Sequence, residues 1–199
     1  MKKIITLFLG FLLLSTSAQA VDSEAIQFVE KLANNIITNV LKSHDSPEAK
    51  TERFEKYFLA ALDTQNIGKF VLGRYWKTAA HTEREKFLSA FTDMALKSWA
   101  DRFDLYNGQE IIFVDARPAE GENQVYVNSQ IKNEPNPVEV IWRVRNKDGT
   151  YKIVDIIIEG VSMVLSYRNE YTAYLQNHSL SELTEKLQKQ ADSFTKKEN

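Results

Sequence analysis

Apolar residues in the first half of the chain recur at helical spacing and predict four helices. The first covers residues 23–41, where apolar side chains lie three or four positions apart. Ser46, followed by a proline at the first helical position, caps the second helix. Asp63 caps a short third helix that ends at Gly73, since glycine tolerates the left-handed backbone of a helix end. A capping box at residues 82–85 opens the fourth, long helix.

The second half changes to an alternation of period two, which predicts antiparallel strands. The alternating segments are residues 110–117, 124–132, 138–145 and 150–158. Residues 146–149 are expected to form a four-residue hairpin turn between the last two strands. A helix over residues 161–177 and a capped helix from Ser179 follow. This order predicts an α+β fold, in which a meander of four or five antiparallel strands packs against N-terminal and C-terminal helices.

The last long strand is apolar on both sides. Asp155 is the only polar residue between positions 153 and 158, whereas a meander strand with one solvated face would alternate. We therefore expect helices or a ligand to cover both faces of this strand. With a four-residue turn, Asp155 shares a face with Val140 and Trp142 of the neighbouring strand.

Arg168 lies inside the apolar arc of the helix predicted over residues 161–177, where a bare guanidinium would be costly. Two partners remain open. An internal ion pair with Asp155 is favoured, because buried charges are usually paired within the protein. The alternative is the anionic head of a ligand. Arg143, Arg145 and nearby lysines form a basic rim that suits a phosphate head, although a solvated hairpin is the simpler interpretation of these residues taken alone.

One short motif suggests an enzyme. Gly160 and Ser162 supply most of a nucleophile elbow between a strand and a helix. Val164 replaces the second glycine of that motif, and the only downstream histidine, His178, follows at the far end of the same helix. We therefore interpret Ser162 as a helix-start residue and expect no catalytic residue. The sequence has no cysteine and no metal-ligand spacing, so we expect no cofactor and no metal.

The first twenty residues have the pattern of a secretory signal peptide. Two lysines precede an apolar run over residues 4–14, and Ala18-Gln19-Ala20 fits a cleavage site. The run is too short to span a bilayer, which takes roughly 20 residues. We expect cleavage after Ala20 and one mature domain over residues 21–199. Without the two lysines the net charge falls from −2 to −4, which argues against a nucleic-acid partner.

Two blocks of the sequence together resemble the MlaC family, also known as toluene-tolerance proteins. The first block is Phe70-Val71-Leu72-Gly73-Arg74-Tyr75-Trp76, followed by Arg84, Phe87 and Phe91. It is similar to the family's LGxYW…R…F…F region. The second block spans residues 151–168 and is similar to the family's WKxxDxxxEGVSxxxxYR pattern, with Tyr151 in place of the usual tryptophan. The likeness runs through nearly the whole chain, signal peptide included, in the same order of elements.

The resemblance implies a periplasmic phospholipid carrier that holds acyl chains in an apolar cavity between the sheet and the helices. Such carriers shuttle between an outer-membrane lipoprotein–porin complex and an inner-membrane ABC transporter that bears an MCE-domain protein. They maintain the lipid asymmetry of the outer membrane. The residues expected to bind lipid are Tyr75, Trp76, Val140, Trp142, Arg143, Ile153, Val161, Met163, Tyr167 and Arg168. An esterase that uses Ser162 and a chaperone for apolar protein segments are the alternative functions.

Overall fold

The computed structural model describes residues 17–101, 103–132 and 135–195. Most of the expected signal peptide lies outside the described residues, and its last four residues begin the first helix. The helices are α1 (Ser17–Ile36), which continues into a π-helical turn (Ile37–Leu41), α2 (Pro47–Ala61), α3 (Thr64–Leu72), α4 (Arg74–Thr78), α5 (His81–Ala100), α6 (Met163–Tyr174) and α7 (Leu180–Thr195). None of the helices in this described part is long and apolar enough to cross a membrane.

The starts of α2, α3 and α7 follow the capping signals of the sequence, whereas the predicted box at 82–85 is wrong, because α5 has its N-cap at Ala80, whose amide donates to Glu83 at 2.8 Å. Ser46 and Asp63 each accept a hydrogen bond from the amide three residues ahead, at the starts of α2 and α3. At α7 the amide of Ser179 donates to Glu182 Oε2 at 2.8 Å, and the amide of Glu182 donates to Ser179 Oγ at 3.2 Å. Gly73 ends α3 with a φ of 54°. These capping predictions are confirmed, whereas the short helix α4 was not predicted.

Five antiparallel strands form one sheet in the sequential order β1-β2-β3-β4-β5. They are β1 (Ile111–Pro118), β2 (Gln124–Ile131), β3 (Val138–Lys147), β4 (Thr150–Ile158) and β5 (Val161–Ser162). Strand β5 is only two residues long and pairs with the end of β4 just before α6 begins. The predicted α+β class and the meander are confirmed.

The hairpin between β3 and β4 is tighter than predicted. Lys147 pairs with Thr150, so the turn consists of Asp148 and Gly149 alone. Both turn residues have positive φ values, 52° and 80°, as a two-residue type I′ turn requires. The predicted four-residue turn is wrong, because this residue pair tolerates the left-handed backbone and lets the strand pairing continue to the tip.

A β-bulge then changes which way the side chains of β4 point. Ile153 pairs with Val144, but Asp155 pairs with Arg143, which leaves Val154 as the extra residue. The predicted row, in which Asp155 shares a face with the apolar residues of β3, is therefore wrong. The alternation could not show the bulge, because the extra residue is itself apolar and fits either face.

The buried apolar residues form two clusters. The first lies between α1, α2 and one face of the sheet and includes Phe58 and Ile153. The second joins α3, α5, α6 and α7 and includes Phe91 and Tyr171. Leu62, at the end of α2, packs against both clusters. Since α2, α3 and α6 all pack on β4, this strand is the part of the sheet where the two clusters meet.

Candidate functional site

A cavity of about 60 Å³ lies where the two clusters meet, bounded by β4 and four helices, α2, α3, α5 and α6. Its lining is almost wholly apolar, and Asp155 is the only charged residue in it. The lining residues are Phe58, Leu62, Thr64, Ile67, Phe91, Thr92, Ala95, Leu96, Trp99, Ile153, Asp155, Ile156, Met163, Val164 and Tyr167. The cavity is thus an apolar slot between the sheet and the helices.

Aromatic side chains of α2, α5 and α6 bound the slot. The rings of Phe58 and Trp99 lie 6.4 Å apart in the part formed by the first cluster. Phe91 meets Tyr167 edge to face at 5.4 Å in the part formed by the second. Burial raises the pKa of the Tyr171 phenol, which packs beside Tyr167, so this neighbouring ring stays uncharged at neutral pH. The walls present rings and aliphatic chains, which favour an apolar occupant.

Three of the residues expected to bind lipid line this slot. Ile153 is fully buried on β4, and Met163 and Tyr167 project from α6. The wall opposite β4 is supplied by α2, α3 and α5, and sequence reasoning did not select any of its residues. Their helical spacing marks them as core residues, but spacing alone does not distinguish a side chain that faces a cavity from one that faces a neighbouring helix.

Val140 and Trp142 lie on the sheet face that belongs to the first cluster, away from the slot. Val140 is buried, and its carbonyl accepts a hydrogen bond of 2.8 Å from Ser129 Oγ. The indole N–H of Trp142 donates to the same Ser129 Oγ at 2.9 Å. These hydrogen bonds satisfy the buried hydroxyl of Ser129 and link β2 to β3, so these two residues stabilise the sheet behind the slot.

Tyr75 and Trp76 lie on α4, outside the slot. The guanidinium of Arg74 is 4.9 Å from the centre of the Tyr75 ring, and that of Arg84 is 5.4 Å from the Trp76 ring. Val161 lies in β5 with 53% of its surface exposed. The residues expected at the lipid site therefore fall into separate parts of the molecule, and the structure brings only some of them together.

The carboxylate of Asp155 is 93% buried and joins β4 to α6. Ser162 Oγ donates to Oδ2 at 2.6 Å, and the amide of Val164 donates to Oδ1 at 3.1 Å. The amide of Ile156 also donates to Oδ1, at 2.8 Å. A helix N-terminus stabilises a carboxylate through its free amides and its dipole. The block that resembles the family pattern DxxxEGVS is thus a polar latch that holds the first turn of α6 on the sheet.

The same contacts explain the apparent nucleophile elbow. Ser162 is the N-cap of α6, and its Oγ accepts a hydrogen bond of 3.0 Å from the Leu165 amide while donating to Asp155. Helix α6 has 12 residues and is about 18 Å long, so His178, beyond its far end, is out of reach. His178 therefore cannot serve Ser162 as a base, and Ser162 caps the helix start, as the sequence predicted.

Arg168 binds the end of α3. One guanidinium nitrogen donates to the Phe70 carbonyl at 3.2 Å, and the guanidinium carbon lies 4.5 Å from the centre of the Phe70 ring. Gly73 lies beside this guanidinium and has a φ of 54°, in the left-handed region that favours glycine. The carbonyls at a helix C-terminus attract a cation. The favoured ion pair with Asp155 is therefore wrong: in the described chain Asp155 instead accepts its hydrogen bonds from Ser162 and backbone amides.

The basic rim is engaged by the protein itself. Arg145 forms an ion pair with Asp63 at the start of α3, and Lys152 donates to the carbonyl of Ala60. Arg143 donates to the carbonyl of Glu120 and lies on the solvated side of the sheet. The contacts of Arg145 and Lys152 hold the start of α3 and the end of α2 against the β3–β4 hairpin, a structural role that neither interpretation anticipated.

The fold and the slot define a class of protein: an α+β domain in which helices enclose an apolar slot against a five-stranded antiparallel sheet. The chain belongs to the MlaC family, since the model of that family, described as MlaC protein, matches residues 27–189.

A curated relative and a solved structure agree with this assignment. The intermembrane phospholipid transport system binding protein MlaC of Haemophilus influenzae is 26% identical over 196 residues, covering 94% of this chain and 91% of the relative. The phospholipid-binding protein from Ralstonia solanacearum, solved in complex with a phospholipid, matches with a TM-score of 0.77 at 17% identity. That match covers 86% of this chain and 98% of the other, and shows the fold. The names of both proteins describe phospholipid binding or transport, and neither describes an enzyme.

Proposed function

We propose that this protein is a soluble periplasmic phospholipid carrier, exported by a signal peptide that is cleaved after Ala20, with one mature domain over residues 21–199. The observation that carries the proposal is the apolar slot between β4 and the helices in a chain of the MlaC family. The names of the two similar proteins, both of which refer to phospholipid, support the proposal.

The physical need for such a carrier follows from the cost of exposing acyl chains. Each CH₂ removed from water contributes about 0.8 kcal/mol, so two 16-carbon chains amount to more than about 20 kcal/mol. A free phospholipid therefore crosses an aqueous gap too slowly to be useful. The slot offers an apolar environment, and Ile153, Met163 and Tyr167 are the residues of the expected site that would contact the chains.

The slot must widen to hold a lipid. Pockets for ligands of moderate size have volumes of roughly 300–1,000 Å³, and the slot has about 60 Å³. The slot lies between two separate apolar clusters, and Leu62 packs against both of them. It is therefore located at the boundary between these two parts of the core. The structure accordingly represents the closed form of the proposed carrier.

The partners of the proposed carrier are an outer-membrane lipoprotein–porin complex and an inner-membrane ABC transporter with an MCE-domain protein. The protein would maintain outer-membrane lipid asymmetry by moving phospholipid between them. The carrier needs no catalytic group for this transfer, because the acyl chains of the lipid move from one apolar site to another of similar polarity.

Mass spectrometry of lipid extracted from the purified protein tests the proposal. We expect bound phospholipid in the wild type and its loss in Ala95→Phe, since Ala95 lines the slot and a benzyl group would occupy it. Ala173→Phe is the matched control, because Ala173 lies on the exposed face of α6 and this variant should keep its lipid. Wild-type protein free of lipid after expression in a lipid-replete periplasm would refute the carrier, and lipid retained by a folded Ala95→Phe would refute the slot.

A further inference from the structure

Outside the slot, residues of the first motif block and of α6 form a surface of arginines and aromatic rings, whereas Phe91 of that block lines the slot. We name it the arginine–aromatic surface: it consists of Lys69, Phe70, Arg74, Tyr75, Trp76, Lys77, Arg84, Leu165 and Arg168. Three guanidinium–ring pairs form it, with distances of 4.5 Å at Phe70, 4.9 Å at Tyr75 and 5.4 Å at Trp76. Stacking on rings holds these cations in place; Arg74 is exposed, and Arg84 and Arg168 are half-buried and also donate to the carbonyls of Lys77 and Phe70.

The charge of this surface has one sign. Residues 64–82 contain Lys69, Arg74 and Lys77 and no aspartate or glutamate, in a chain whose net charge is −2. Arg84 and Arg168 add two further cations from α5 and α6. Glu83, which accepts from the Ala80 amide, and Glu85, 3.4 Å from His81, are the acids beside Arg84 in α5, so the five cations of the surface outnumber these two carboxylates. The surface is therefore a cationic region on an acidic protein, suited to an anionic partner.

Exposed apolar side chains accompany these cations. Phe70 is 43% exposed and Leu165 is 48% exposed. Both flank the same guanidinium, since Arg168 stacks on Phe70 and lies three residues after Leu165 on α6. Single exposed apolar residues are common on any protein, but apolar and aromatic side chains set among lysines and arginines are typical of surfaces that enter the headgroup region of a bilayer.

Two of the four helices that wall the slot, α3 and α6, also contribute to this surface. Ile67 lines the slot from α3, and Phe70 follows it by three residues. Tyr167 lines the slot from α6, and Arg168 is the next residue. A partner bound at this surface would therefore contact two of the helices that enclose the slot.

We propose that the arginine–aromatic surface docks this protein on an anionic phospholipid bilayer. The cations would bind lipid phosphates, and Phe70 and Leu165 would enter the headgroup region. A protein partner is less well matched, because protein interfaces of standard size bury about 800 Å² on each side around an apolar centre. Here the exposed apolar part consists of Phe70 and Leu165, each less than half exposed, among cations. The inference rests on the proposed function and adds to it, since the surface would hold the carrier on the membrane that contains its protein partner.

Vesicle flotation tests the docking. The probes are vesicles of phosphatidylglycerol with phosphatidylethanolamine, and vesicles of phosphatidylcholine alone, each at low and high salt. We expect the wild type to bind only the anionic vesicles, and high salt to weaken that binding. Arg74→Glu with Lys77→Glu should weaken it by at least about 25-fold, since each unit of charge contributes roughly fivefold. Leu165→Ser should weaken it by about threefold to tenfold through lost apolar contact.

The matched control is Lys31→Glu with Lys189→Glu, which makes the same change in net charge at two exposed lysines outside the surface. It should weaken binding by less than about fivefold. A wild type that binds no anionic vesicle, equal binding to phosphatidylcholine, or equal losses in the two charge-reversal variants would each overturn the docking proposal. Protease-sensitive binding to native membranes without binding to pure lipid would assign the surface to a protein partner and likewise overturn it.

Lipid content separates this proposal from the proposed function. The Arg74→Glu, Lys77→Glu variant leaves the slot unchanged, so extracted protein should carry as much phospholipid as the wild type. If no variant and no wild-type sample contains lipid, the carrier function fails while the flotation result is unaffected.

Discussion

The two motif blocks of this chain have different roles in the structure, although the sequence presents them as two matches of the same kind. The block over residues 151–168 walls the slot through Ile153, Met163 and Tyr167. The block over residues 70–76 places Tyr75 and Trp76 beneath arginines outside it. A family pattern thus identifies the fold, whereas the tertiary arrangement decides which side chains of the pattern can contact a ligand.

The two blocks are also held in the structure by different kinds of contact. The second block is held by a buried carboxylate with three hydrogen bonds. The two blocks meet at Arg168, which stacks on Phe70 and donates to its carbonyl at a partly exposed position. Buried, charge-assisted hydrogen bonds cost more to lose than exposed cation–π contacts. Substitutions should therefore separate the two kinds of contact by the size of their effect on stability.

The largest effect is expected at Asp155. Asp155→Ala should lower the free energy of unfolding by about 3 kcal/mol, because it leaves the Ser162 hydroxyl and the Val164 amide without their acceptor in a buried position. Urea denaturation measures this difference. Asp192→Ala, on the exposed face of α7, is the control and should change stability by less than about 0.5 kcal/mol. A loss below about 1 kcal/mol at Asp155 would show that the latch does not hold α6 on the sheet.

A smaller effect is expected at Ser162. Ser162→Ala removes the N-cap of α6 and one partner of Asp155 and should cost about 1–2 kcal/mol in unfolding free energy. Ser166→Ala, one turn further along α6, should cost less than about 0.5 kcal/mol. Both variants should keep their bound phospholipid, since neither side chain lines the slot. Hydrolysis of acyl esters by the wild type that disappears in Ser162→Ala would instead revive the esterase.

The smallest effect is expected where the two blocks meet. A double-mutant cycle with Phe70→Leu and Arg168→Met should give a coupling energy of about 0.5–1 kcal/mol, the size of a partly exposed cation–π contact. Thermal or urea unfolding of the four proteins measures it. The pair Phe70→Leu and Arg74→Met is the control and should show coupling near zero, because Arg74 stacks on Tyr75 instead. Equal coupling in both cycles would mean that Arg168 does not depend on the Phe70 ring.

Much of the fold could be predicted because its signals are local. Ser46, Asp63 and Ser179 cap the helices that they were expected to cap, since a capping side chain needs only the next three residues. The four long strands follow from alternation over eight to ten residues. Long-range partners could not be predicted in this way. The Asp155–Arg168 pair failed because Asp155 binds Ser162 and the Val164 amide at the start of α6, whereas Arg168 binds the end of α3.

By itself, the sequence of this protein determined the order of the elements, the α+β class, the resemblance to a family and the role of Ser162 at a helix start. Each of these depends on neighbours in the chain or on a periodic pattern. Only the tertiary structure decided that α2, α3 and α5 form the far wall of the slot, that Asp155 holds α6, and that Tyr75 and Trp76 lie outside. Apolar side chains look alike in sequence whether they pack on a neighbour or border a cavity, so only the packing of distant elements distinguishes them.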